Sequence, residues 1–182
     1  MRFVIISLPP RAIRDTIEAL RRPLNEEIGA REALRYPPHI TLRTGLVCPD
    51  DKADEVAEAF LDHARTMEAV PVRTEGLFFT SYGPPGNHHG LVGWSVAATE
   101  PLLVLHRGLL AFTDWAKGPQ GPFRPHVTLA FDDLGADEVE RLRLKIQAIK
   151  PPIPEFSWKV DHVALYHETL QGWVEWDRAS LS

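Results

Sequence analysis

The chain has one cysteine, Cys48, among 182 residues. A single thiol excludes an internal disulfide and any metal site built from several cysteines. Clustered positive charge is also missing. No run of Lys and Arg exceeds two residues, and the formal net charge is −5. A long nucleic-acid footprint needs clustered cations, so that class is set aside. A small anionic ligand needs only a few well-placed cations and stays in play. Long apolar runs are absent too: no segment approaches the roughly 20 residues of a membrane span. The opening MRFVIISLPP is too short for a signal sequence with a cleavage site and reads as a strand. No Asp, Glu and His set stands at metal-ligand spacing, so neither metal nor cofactor is expected. The expectation is a reduced, cytoplasmic monomer with no membrane partner.

What is present suits a soluble globular protein, with 44% hydrophobic and 25% charged residues. The length fits one domain, or two small lobes sharing a core. Along the chain, Arg2–Leu8 reads as a strand, and Ile13, Ile17 and Leu20 fall at helical spacing. Pro23 is expected to interrupt or end that helix, with a further turn reaching Gly29. His39–Val47 reads as a strand. A helix begins near Pro49-Asp50-Asp51 and carries Val56, Phe60, Ala64 and Met67 on one face. Val70–Thr80 and Leu91–Ala98 are expected strands around the turn-like SYGPPGNHHG. Thr99 is the expected N-cap of a third helix carrying Leu102, Leu105, Leu109 and Phe112. KGPQGPFRP is a loop, Pro125–Phe131 a strand, and Ala136–Ile149 a fourth helix stopped by Pro151-Pro152. Strands at Trp158–Tyr166 and Trp173–Arg178 follow.

One feature is written twice. Pro38-His39-Ile40-Thr41-Leu42 returns as Pro125-His126-Val127-Thr128-Leu129, an offset of 126 − 39 = 87 residues. A lone His-x-Thr is weak, but a single five-residue copy is expected by accident only on the order of 0.005 times per chain. A copied packing unit with both histidines in the core is the competing account. Histidine and threonine are poor choices for an apolar core. In each half a helix precedes the motif strand and another follows it. The elements therefore imply a duplicated α+β protein across residues 1–182. Two antiparallel sheets would face a central groove, with helices outside and a seam near residues 97–101.

Side chains alternate along a strand, so His39 and Thr41 share one face while Ile40 and Leu42 take the other. His126 and Thr128 repeat this, opposite Val127 and Leu129. Two lobes would then aim two imidazoles and two hydroxyls into one groove. Histidine serves as acid or base near neutral pH, and short hydroxyl donors hold phosphoryl oxygens. A phosphodiester between two imidazoles suits this set.

These paired PH[IV]TL motifs, following an N-terminal RFVI strand, resemble the two-histidine phosphoesterase superfamily and its bacterial 2′-5′ RNA ligase-like, RNA 2′,3′-cyclic phosphodiesterase branch. The resemblance implies a bilobal fold and metal-independent opening of 2′,3′-cyclic phosphates to 2′-phosphates, on RNA 3′ ends, transfer-RNA fragments, ADP-ribose cyclic phosphate or other short cyclic nucleotides. It places catalysis on His39 and His126 and phosphate binding on Thr41 and Thr128. It also implies His39 as the acid at the 3′-oxygen and His126 as the base for water. Ligation by the reverse reaction stays open.

Arg43 continues the His39, Thr41 face and Arg124 lies two residues before His126, so both are candidate phosphate ligands. Ala130 stands where Arg43 would repeat. Tyr166 and Trp158 could stack on a base, but core packing is the favoured reading for both. His88-His89 fits a solvated loop better than a metal pair, since adjacent strand residues diverge. His63, His106, His162 and His167 lack a second copy and are expected at surfaces or strand rims. Cys48 reads as packing. The competing function is a nucleotide or RNA-end binding module using the same groove without turnover.

Overall fold

In a computed structural model, the structure describes residues 1–82, 89–112, 122–131, 134–149 and 154–182. The first strand, β1 (Arg2–Ser7), is buried from Phe3 to Ser7. Helix α1 (Arg11–Ile28) follows and runs straight through Pro23. This corrects the expected break. Pro23 is exposed, so the carbonyl one turn back that loses its partner faces water, which satisfies it. Gly29 closes the helix at φ 77°, its N–H reaching back to Glu26. Then come β2 (Ile40–Val47), α2 (Ala53–Ala64), β3 (Val70–Tyr82), β4 (His89–Val96) and α3 (Glu100–Phe112). The chain continues with β5 (His126–Phe131), α4 (Ala136–Ala148), β6 (Ser157–Val160), β7 (His162–Thr169) and β8 (Gly172–Ser180).

Helix α3 begins as expected, but not by a side-chain cap. The Thr99 hydroxyl is buried with no hydrogen-bond partner, and only the Thr99 carbonyl joins the helix, accepting from Leu103 N–H. In SYGPPGNHHG the strands extend inward to Tyr82 and His89. The rest of that turn, most of KGPQGPFRP, and Pro151-Pro152 lie outside the described residues.

The strands pair antiparallel in the order β6-β3-β4-β5-β2-β1-β7-β8. The α+β, two-lobed expectation therefore holds, with one refinement. The two four-stranded halves meet at their inner strands, β5 and β2, through the pair Ile40↔Val127. One half, β3 to β6, is continuous in sequence, while the other joins β1 and β2 from the start of the chain to β7 and β8 from its end. β5 follows residues 97–101 yet pairs with β4, which precedes them. The expected strand Trp158–Tyr166 is two strands at distant places in the sheet. β6 pairs with β3 through Val72↔Trp158, while β7 pairs with β1 through Ile5↔Leu165. The crossing is at Asp161, whose carbonyl accepts from Leu181 N–H. The alternation of buried and exposed positions slips by one there, because Asp161 and His162 are both unburied between Val160 and Val163. The polar pair Asp161-His162 is the one sign of the switch in the hydropathy, and it is easily read as a single irregularity within one strand.

The main core lies between the sheet and the helices and includes Phe3, Ile5, Ile40, Trp94, Val127 and Leu129. On the other face of β1 and β7, Val4, Ile6, Leu8, Ala164 and Tyr166 form a smaller cluster. That cluster fills one half of the face on which the motifs stand.

Candidate active site

Ile40 and Val127 are each 0% exposed and lie directly opposite one another. Both point into the core. Their sequence neighbours must point to the other face, where His39, Thr41, His126 and Thr128 are all half-buried. Stepping the antiparallel register by one residue sets Thr41 across from His126 and His39 across from Thr128. A local two-fold thus passes between Ile40 and Val127.

The repeat extends beyond the five letters. His39–Arg43 and His126–Ala130 share one burial sequence: half-buried, buried, half-buried, buried, buried. Each strand also breaks register at the same place. The pairing Ile6↔Thr41 is followed by Ile5↔Arg43, and Gly93↔Thr128 by Val92↔Ala130. Leu42 and Leu129 are therefore bulge residues, each at the end of its motif. The bulge explains why Arg43 is only 4% exposed although alternation would give it the exposure of Thr41.

His39 is held at both nitrogens. Its Nδ1 lies 2.7 Å from the Pro37 carbonyl, which only accepts, so Nδ1 carries the proton. The Thr41 hydroxyl is 3.0 Å from Nε2 and donates to it when the ring is neutral. Burial pushes the imidazole down to about 4, opposed by the Pro37 carbonyl and helped by the nearby His126 and Arg21 side chains. His39 is thus neutral at pH 7. The segment before it is braced from α1. Arg21, itself buried, donates to the Ala33 and Tyr36 carbonyls and pairs with Glu18 at 2.6 Å. Tyr36 tilts over His39 at 5.5 Å and stacks on Trp173 at 5.3 Å.

His126 mirrors this arrangement, with Nδ1 2.8 Å from the Arg124 carbonyl. The edge contact with Phe78, at 5.7 Å, fixes its ring. A cavity of about 710 Å³ opens beside it, bordered by Thr41, Arg43, Phe78, Ser95, Arg124 and His126 among others. Among the described residues, those bordering it include arginines and histidines and no carboxylate, in a chain whose net charge is −5. Arg43 borders it from a buried position and donates to the Thr44 carbonyl at 2.9 Å. Arg124 is exposed. His39 and Thr128 do not border this cavity. They stand on the far side of the two-fold.

Tyr166 is 7% exposed and donates to Glu175 at 3.1 Å, and Trp158 is 7% exposed in the core, so both pack as the favoured reading had it and neither offers a stacking face. One expectation about a histidine is corrected. His106 is not a surface residue: it borders the cavity, and Phe123 stacks on it at 3.8 Å. His63 packs its Nε2 against the Gly108 carbonyl, and His167 sits beside Phe3 and Trp176. His88 lies outside the described residues, while His89 opens β4. Cys48 is buried. Among the described residues no group of three or more His, Cys, Asp and Glu is placed to hold a metal ion. No described helix is long and apolar enough to cross a membrane. Arg21, Asn25, Tyr36 and Phe78 were not singled out by sequence, and His106 was read only as a surface or rim residue. The first two had a signal: they continue the i, i+4 stripe of Ile17 on α1, polar residues where the pattern asks for apolar ones.

A two-lobed sheet that presents mirrored histidines and threonines on one face is the architecture of a two-histidine phosphoesterase. The chain belongs to the 2′-5′ RNA ligase superfamily, whose family model matches residues 9–172. A Bacillus pumilus protein named "Putative phosphoesterase" is 27% identical over 149 residues, 80% of each chain. The fold is shared with TT0787 of Thermus thermophilus, at TM-score 0.67 and 19% identity over 99% of this chain and 97% of that one. It is also shared with E. coli LigT solved in complex with 3′-AMP, at TM-score 0.66 and 19% identity over 100% and 98% of the two chains.

Proposed function

We propose that the protein is a phosphodiesterase that opens 2′,3′-cyclic phosphates, on RNA 3′ ends or short nucleotides, to 2′-phosphates. The observation that carries this reading is the Ile40↔Val127 pair, which sets the two His-x-Thr strands about one local two-fold. A single phosphorus atom on that axis is served from both sides. The 3′-AMP held by LigT is a nucleotide ligand of the kind such a groove takes.

The chemistry follows from the proton inventory. His39 enters neutral, with its Nδ1 proton anchored on Pro37 and its Nε2 lone pair toward Thr41. Nε2 takes a proton from water as the water oxygen bonds to phosphorus. The P–O3′ bond breaks on the opposite side, and protonated His126 gives its Nε2 proton to O3′. Thr41 turns its hydroxyl from His39 to a non-bridging oxygen, Thr128 does the same from β5, and Arg43 and Arg124 offset the phosphate charge. The family resemblance implies the reverse order of the two histidines; the burial of His39 supports this one.

Two measurements test the reading. Phosphorus NMR of a nucleoside 2′,3′-cyclic phosphate should show a 2′-phosphate as product. Absence of turnover, or a 3′-phosphate product, contradicts it. An aryl phosphodiester with a p-nitrophenolate leaving group needs no acid. His126→Ala should lose far less on it than on the cyclic phosphate, while His39→Ala loses on both. The opposite pattern exchanges the roles.

A further inference from the structure

The bulges that end the two motifs leave backbone groups outside the ladder, and each bulge carbonyl is met by a helix side chain. The Leu42 carbonyl lies 2.8 Å from His106 Nδ1 on α3. The Leu129 carbonyl accepts at 2.7 Å from Asn25 Nδ2 on α1, whose residue is fully buried. The donors are exchanged between the halves. Helix α1 precedes β2 in the chain but braces β5, and α3 precedes β5 but braces β2. His106 is further clamped by Phe123, stacked nearly parallel at 7°.

We propose that His106 and Asn25 are a matched pair of positioning residues, each locking the bulge behind one motif so that its histidine and threonine face the phosphate. The idea deepens the phosphodiesterase reading and rests on it for its kinetic arm. The chemistry of the two donors agrees. His Nδ1 and Asn Nδ2 stand at the same distance along the side chain. Each donates to a carbonyl one residue beyond a motif threonine. The Nδ1 proton is present in both the neutral and the charged imidazole, so the brace holds across the working pH range. His106 touches no reacting atom in this account and acts through the Leu42 carbonyl on Thr41 and His39. A misplacement of about 1 Å at a reacting group costs on the order of 10²-fold in rate, so a slack bulge should appear in kcat.

The test compares three replacements of His106. His106→Leu removes the donor. His106→Asn restores a donor at the δ position, copying Asn25. His106→Gln places its amide one atom farther out. With a nucleoside 2′,3′-cyclic phosphate, His106→Leu should lower kcat by about 10- to 100-fold with KM changed less than about threefold. His106→Asn should recover most of the loss and His106→Gln should not. Imidazole 15N NMR of His39 is read in the same four proteins, since it needs no turnover. The His39 signals should move in His106→Leu and His106→Gln and return in His106→Asn. A folded His106→Leu protein, by thermal melt, with normal kcat and unmoved His39 signals overturns the proposal. So does a loss that Asn and Gln repair equally. If His106→Leu does not fold, Asn against Gln decides alone. If the wild-type protein turns over no cyclic phosphate, the functional reading falls, and the His39 signals still judge the brace.

Discussion

Each motif histidine donates Nδ1–H to the carbonyl two residues before it, Pro37 for His39 and Arg124 for His126. That contact fixes the tautomer and presents Nε2 to the groove. Sequence supplies the identity of all four motif residues, and the structure brings them to one face. What it does not supply is the difference between the copies. His39 is pushed down to about 4 by burial. The unfolded chain then binds the extra proton between about pH 4 and the ordinary 6.5. Stability associated with His39 is fully present above 6.5 and is lost as pH falls toward 4. Thermal melts across this range should show a shallower acid decline for His39→Gln than for the wild-type protein; parallel curves would contradict the burial of His39. On the proposed mechanism the threonines should act more gently than the histidines. Thr41→Val and Thr128→Val would each remove one hydrogen bond to a phosphoryl oxygen, at most about 10²–10³ in rate. Val keeps the β-branch, so melts should stay close to wild type while turnover falls.

At the scale of elements, the bulges are where sequence reading stopped short. Strict alternation places Arg43 on the face of His39 and Thr41, and the register shift at Leu42 changes its burial instead. No side-chain pattern announces a bulge, because it is set by the partner strand. On β4 that partner is Gly93. A Cβ there would meet the Val127 carbonyl oxygen at 2.4 Å and Thr128 Cα at 3.3 Å. Both are backbone of the second motif and have no room to give. Gly93→Ala should therefore cost about 1–3 kcal/mol and, in the protein that still folds, lower turnover by displacing His126 and Thr128. Urea unfolding together with turnover checks this. Unchanged stability would show that β4 and β5 are looser than described. Helix α1 teaches the same lesson from the other side: Pro23 looks like a stop in sequence, and its solvent-facing position makes it tolerable.

At the scale of the whole molecule, the repeat of motif and element order was legible as a two-lobed α+β protein. The interleaving of the lobes was not. The chain leaves one half after β6 and enters the other at β7 across Asp161 alone, marked in the sequence only by a one-residue slip of the alternation at Asp161-His162. The helices brace across the halves in the same exchanged fashion, Asn25 to β5 and His106 to β2. The consequence is functional. In the proposed mechanism neither half carries a complete site, because β2 and β5 each bring one motif histidine to the two-fold between them. Removing either group should then cost nearly as much as removing both. The direct measurement is turnover of a nucleoside 2′,3′-cyclic phosphate by His39→Ala, His126→Ala and the double variant, beside their thermal melts. The account predicts that each single change abolishes most activity, by about 10²–10⁴-fold, and that the double variant falls far short of the product of the two losses. A folded single variant with near-normal turnover, or losses that multiply in full, would show that the two motifs do not act together on one phosphodiester.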